Sequence, residues 1–235
     1  MQVKSLQTIT MHSIANDPQH SHIKKVRSSS GKEVAFEFCP IPAQTYYLGK
    51  YLVTQQQWKS VMGNNPSNFR GGSLPVETVS FDDAQIFIQK LNTLSGKQLY
   101  RLPTEVEWEY ACRAGSYSPY YFSDDASQLG EYAWFTGNSW NTTHPVGQKK
   151  PNEWGLYDML GNVWEWTDSW YDSSRTYRVY RGGSWLTIAK NCRSVLRYFS
   201  IPGCRSSFVG FRLAFILGRR TWGRYSYRTG TDGKG

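Results

Sequence analysis

From Leu186 to Phe208 the chain carries four cations, Lys190, Arg193, Arg197 and Arg205, and not one carboxylate. Such a stretch offers no acid–base pair and no anionic metal ligand. Around the cations stand Leu186-Thr187-Ile188 and Tyr198-Phe199-Ser200-Ile201, which follow neither a helical nor an alternating period. Apolar groups without a period cannot all face one core, so some must be exposed, and exposed apolar patches mark binding surfaces. The chemistry of this stretch is contact. Elsewhere, Cys39, Cys112, Cys192 and Cys204 lack the CxxC spacing of a zinc site. Cys112 ends a helical apolar face as a core thiol. Cys192 and Cys204 could pair, but an intracellular chain keeps its thiols free. The four histidines, His12, His20, His22 and His144, are scattered.

These residues must be held by a body built largely from aromatic rings, which make up 16% of the chain, with 10 Trp and 16 Tyr. Large rings give a core whose polar tips need partners. At 235 residues the length suits one domain with extensions. The net charge of +9 is uneven. Residues 1–32 hold five Lys/Arg and one Asp, giving +4, and residues 218–235 hold the same, so only +1 is left for the body. Basic ends of this kind make loose contacts with polyanions, and specific nucleic-acid recognition is not expected of them. No apolar run reaches the roughly 18 residues of a membrane span, and Met1–Lys25 lacks the apolar centre of a signal peptide. A cytoplasmic location is expected.

Three organisational segments follow: a polar basic stretch at 1–33, a domain at 34–217 and a basic tail at 218–235. A strand pair is expected over Val34–Ile41 and Tyr46-Tyr47-Leu48. Capping boxes at Thr54/Gln57, Ser80/Asp83 and Thr104/Glu107 open three helices, which Gly63, Gly96 and Gly115 end. From Gly115 to Trp185 the chain is irregular, a length that points to functional or metal-stabilised loops. Late strands near Arg178–Ser184 and Gly210–Ile216 should anchor the carboxylate-free stretch.

Several ordered motifs bring a family into view. Tyr100-Arg101-Leu102-Pro103-Thr104-Glu105, Glu107-Trp108-Glu109-Tyr110-Ala111, Pro145-Val146-Gly147, Gly155–Trp166, Arg181-Gly182-Gly183-Ser184-Trp185 and Gly210-Phe211-Arg212 together resemble the formylglycine-generating enzyme (sulfatase-modifying factor) family. The resemblance runs from about Val34 to Ala214. It implies an α+β architecture, a C-type lectin fold of the formylglycine-generating-enzyme subclass, with little regular secondary structure and long loops on a small antiparallel sheet. Near Ile41–Thr45 the chain is shorter than its relatives, so that edge of the fold should be trimmed.

What the resemblance implies for chemistry is mixed. The family's enzyme resembles a copper oxidase with two cysteines five residues apart, just after the Gly-Gly-Ser-aromatic motif. Thr187 holds the first of those positions here. Cys192 has the offset of the second, but counting back from Arg197 makes that offset a coincidence. One thiol cannot form a two-sulfur copper site. The HxxxHxE pattern of related iron enzymes is absent from the sequence. No catalytic residue and no required cofactor is therefore expected. The equivalents of Asp158 and Glu165, with carbonyls at Gly161 and Val163, form a structural calcium site in the family, and hard oxygen ligands suit that ion. The alternative is that Glu165 accepts hydrogen bonds from loop amides.

Bacterial relatives resemble this chain closely over Arg181–Arg212 but are rich in Asn there. Against them the chain keeps Asn191–Ser194, Arg197, Pro202 and Arg205, and replaces Asn-type positions with Leu186, Thr187, Ile188, Tyr198, Ser200, Ile201, Gly203, Cys204, Ser206, Ser207 and Phe208. Leu196 and Phe199 replace other residues, and Lys190 stands as a fixed position. All the Asn-type replacements are encoded by NNC codons, the product of adenine-randomised AAC. This pattern is similar to the variable proteins of diversity-generating retroelements. The resemblance implies a receptor-like protein whose variable residues, together with Lys190, Leu196 and Phe199, meet an unknown protein or other macromolecular ligand. Arg193, Arg197 and Arg212 would anchor the scaffold, and the surface would be apolar and mildly cationic. The competing expectations are a sulfatase-modifying-factor-like enzyme and a sensor or effector module in signalling.

Overall fold

The computed structural model describes residues 21–28 and 31–216. Two sheets organise the chain. The first has the order β1-β2-β3-β9-β4, and the second β7-β6-β5-β8. The first is wholly antiparallel, formed by β1 (His22–Arg27), β2 (Glu33–Pro40), β3 (Tyr46–Gly49), β4 (Tyr100–Arg101) and β9 (Ala214–Ile216). In β2, Val34, Phe36 and Phe38 alternate inward, as a half-buried strand requires. The expected hairpin is present, with Cys39 opposite Leu48. Regular structure begins earlier than expected, because β1 pairs along β2 from His22 opposite Phe38 to Arg27 opposite Glu33. The polar stretch ends inside a strand that shares a neighbour's hydrogen bonds, a partnership no local composition signals. The basic tail lies outside the described residues.

The helices start where their caps place them. Thr54, Ser80 and Thr104 each accept from the backbone three residues on, while Gln57, Asp83 and Glu107 reach back. They open α1 (Gln55–Met62), α2 (Phe81–Ser95) and α3 (Glu105–Arg113). Gly63 and Gly96 cap the first two in the left-handed region. The third ends one residue sooner than expected, at Ala114 with φ +46°. Trp58 of α1 stacks on Phe87 of α2 at 5.3 Å over the main core. Trp108 of α3 is fully buried in a second core with Cys112 and Leu160.

The long irregular region contains only the short α4 (Leu129–Tyr132) before β5 (Trp164–Trp170). That strand lies in the Trp-Glu-Trp motif, where a loop was expected. It is central in the second sheet, antiparallel to β6 (Arg178–Arg181) and parallel to β8 (Val209–Gly210). β6 in turn pairs with β7 (Arg197–Ser200), Tyr180 lying opposite Tyr198. The mixed α+β architecture with few helices and long loops is the one expected. No helix among the described residues is long and apolar enough to cross a membrane.

Candidate ligand-binding site

The carboxylate-free stretch lies over the second sheet, and the body pins its backbone at several points. Ser194 N–H donates to the Pro119 carbonyl at 2.8 Å, and the Pro202 and Ser206 carbonyls accept from Phe81 and Thr78, each at 3.0 Å. Arg181 Nη1 donates to the Val195 carbonyl at 2.7 Å. Trp185 Nε1 donates to the Ser207 carbonyl at 3.1 Å, tying the start of the stretch to its end. Trp164 N–H holds the Phe208 carbonyl at 2.8 Å. Each bond satisfies a backbone group that a loop would otherwise leave to solvent.

The side chains between these pins surround a cleft of about 300 Å³. Leu186, Thr187, Ile188, Leu196, Tyr198 and Phe208, all among the expected surface residues, line it. Trp164, Tyr180, Ser184 and Asn191 complete the wall and were not singled out beforehand. Trp164 and Tyr180 belong to β5 and β6, and their rings lie 5.8 and 5.5 Å from Tyr198 across the sheet. Only strand pairing reveals them. Leu186, Ile188, Tyr198 and Ile201 are about half exposed. Phe199 stands apart from the cleft, on Tyr171 at 4.1 Å and Tyr177 at 5.1 Å. Lys190 and Gly203 are exposed, and Ser200, Cys204, Ser206 and Ser207 are partly buried outside the cleft.

Several expectations are corrected. Thr187 faces inward: its Oγ1 accepts from Ser184 N–H at 2.9 Å, so its hydroxyl is committed to the turn. Leu196 and Phe208 pack partly against the core, so each serves both surface and body. Cys192 and Cys204 are free thiols, as expected. Arg197 and Arg205 add no free charge to the mildly cationic surface, because Arg197 pairs with Glu105 at 2.7 Å and Arg205 with Asp83 at 2.7 Å. Arg193 is no anchor: its Nε has no acceptor.

Thr187 and Cys192 do meet in space, both against Gly183, and the Cys192 thiol points to the Thr187 carbonyl at 4.0 Å. The pair holds one sulfur only. Burial pushes the Cys192 thiol up to about 12, which keeps it protonated near neutrality.

The calcium set does not fit. Glu165 is fully buried and spends both carboxylate oxygens on Arg212, at 2.6 and 2.8 Å, with Trp108 Nε1 at 2.8 Å. Its protein partners are therefore a guanidinium and an indole rather than loop amides. Asp158 accepts from Gly147 N–H at 2.8 Å and has Asn162 Nδ2 at 3.5 Å. Gly161, at φ +77°, lies so close to the Trp134 carbonyl that a Cβ would sit 2.2 Å from it. Val163 is buried beside Leu52 and Trp185. Calcium requires about six to eight oxygen ligands, and Arg212 fills the place where its charge would be needed. Among the described residues no cluster of three or more His, Cys, Asp or Glu side chains can hold a metal. Burial pushes the Asp158 carboxyl up to about 6.

A mixed α+β body with long loops pinned over two sheets is the formylglycine-generating-enzyme type of C-type lectin fold. The sulfatase-modifying factor enzyme 1-like domain matches residues 25–216, and the chain belongs to that family. It is 35% identical over 198 residues to the chaperone protein LppX of Paenibacillus barcinonensis, covering 60% of this chain and 70% of that one. The inactive Cα-formylglycine-generating enzyme 2 of Bos taurus is 33% identical, covering 69% of this chain, which spans only 57% of the bovine protein. Among solved structures, Treponema denticola variable protein 1 superposes with a TM-score of 0.74 at 29% identity, over 83% of this chain and 99% of that one. That likeness bears out the resemblance to variable proteins.

Proposed function

We propose that this chain is a non-catalytic, receptor-like protein that displays a varied binding surface at 186–208, as variable proteins of diversity-generating retroelements do. One observation carries the reading: the backbone of the stretch is pinned to the body, while Leu186, Ile188, Tyr198 and Ile201 project outward. Side chains there can change without removing the bonds that hold the loop. Tyr198 and Phe199 give large contact areas at small entropic cost, as rings do in antibody paratopes. The likeness to the Treponema variable protein supports this reading. The lone, protonated Cys192 thiol beside Thr187 supports the absence of oxidase chemistry, and a relative named as inactive is consistent with it.

The ligand is a protein or other macromolecule that covers the apolar cleft. No cofactor is required, the basic ends make at most loose polyanion contacts, and the protein works in the cytoplasm. Sequencing the surrounding locus tests the origin of the variation: a reverse-transcriptase gene should lie nearby, with a near-copy of the 3′ coding sequence carrying AAC at the varied codons. A copper titration tests the chemistry. Stoichiometric copper uptake with thiol-dependent oxygen consumption would establish the enzyme instead.

A further inference from the structure

Arg193 differs from the other arginines of the body. Among the described residues, every other at least partly buried arginine donates to a carboxylate or a carbonyl: Arg101 to Glu107, Arg113 to Glu109, Arg178 to Asp168, Arg181 to Val195 and Arg212 to Glu165. Arg193 is partly buried and has no such bond; its Nε, like those of Arg178 and Arg181, is shut off from solvent without an acceptor. A guanidinium with no counter-charge in the fold keeps its remaining N–H donors free for an anion. Arg193 lines a cleft of about 500 Å³ with Lys190, Asn191 and Tyr120, which Asp124 and Asp125 also line. Neither aspartate is within ion-pair distance of Arg193 or Lys190. Asp125 already accepts from Ser127 N–H at 2.8 Å. Asn191 also lines the apolar cleft, so the two clefts adjoin.

We infer that this second cleft is an oxyanion subsite that takes a single carboxylate, such as an acidic side chain of a peptide. Arg193 grips the carboxylate with its planar fork, and Lys190 adds a point charge. The two aspartates make a doubly charged phosphate the poorer ligand, since like charges in one cleft repel. The subsite goes beyond the apolar cleft and does not depend on what fills it.

The test uses the full chain and small probes at constant ionic strength. The Arg193 Nε–Hε NMR resonance is followed while acetate, N-acetylglutamate or inorganic phosphate is added. Both carboxylates should shift it saturably, phosphate should bind more weakly, and exposed Arg70 and Arg175 should not respond. Lys190→Met should weaken carboxylate binding roughly tenfold, and Asp124→Asn should narrow the gap between phosphate and carboxylate. Arg193→Met should leave Tm unchanged or raise it, because its guanidinium has no partner to lose, and should abolish carboxylate-induced shifts at the Tyr120 amide. No saturable shift at Arg193, an equal response from exposed arginines, or tighter binding of phosphate than of carboxylate would overturn the assignment. So would a clear fall in the Tm of Arg193→Met, which would make Arg193 a structural group.

Discussion

Tyr198 stands on β7 with 55% of its surface exposed, although its ring touches Trp164 and Tyr180. Phe208 is half-buried and packs against two cores. The two rings should therefore respond differently to truncation. Tyr198→Ser should cost under about 1 kcal/mol in a urea melt, and Phe208→Ser about 3 kcal/mol. A large loss at Tyr198 would make that ring core and remove it from the display surface. Asp158 gives a second test, through pH. Its carboxyl is pushed up to about 6 by burial, above the ordinary carboxylate value near 3.9. The folded state therefore holds its proton more tightly than the unfolded chain. That contribution to stability is complete below about pH 4 and is lost as pH rises through about 6. Relative to Asp158→Asn, the unsubstituted protein should lose on the order of 2–3 kcal/mol over that window. Denaturant midpoints that stay parallel from pH 4 to pH 7 would contradict this.

At the scale of elements, Glu165 and Arg212 join the two sheets. Glu165 lies on β5, while Arg212 lies two residues before β9 and also donates to the Gly49 carbonyl at the end of β3. Both side chains are fully buried. Glu165→Gln leaves the guanidinium without its counter-charge and should cost about 3–5 kcal/mol, read from chemical denaturation. Added calcium should restore nothing, because the loss is of an ion pair. Gly161 tests the adjoining loop. Its positive φ and the Trp134 carbonyl behind it leave no room for a methyl group, so Gly161→Ala should prevent the loop from closing and lower Tm sharply.

For the whole molecule, the display reading predicts that the body tolerates change at its exposed rim. Replacing Leu186, Ile188, Tyr198 and Ile201 together by Ser should move Tm by no more than about 4 °C, while abolishing capture of any ligand selected against the original surface. A collapse in Tm would mean that the stretch stabilises the fold.

Much of this organisation could be read from local signals. Capping boxes placed three helices, alternation placed β2, and the broken period with its missing carboxylates placed the cleft residues from Leu186 to Phe208. Each depends on side chains a few residues apart, so the chain alone contains the information. What the chain could not reveal came from partners distant in sequence. Trp164 and Tyr180 became cleft walls because β5, β6 and β7 lie side by side. Arg197 and Arg205 lost their free charge to Glu105, 92 residues away, and Asp83, 122 residues away. Glu165, read as a calcium ligand, was claimed by Arg212 from 47 residues away. Sequence by itself determined where helices begin and which stretch breaks the hydrophobic period, because those follow from local steric and hydrogen-bonding preferences. Only tertiary structure decided which charges remain unpaired, because a charge is neutralised by whichever opposite group the fold brings within a few ångströms.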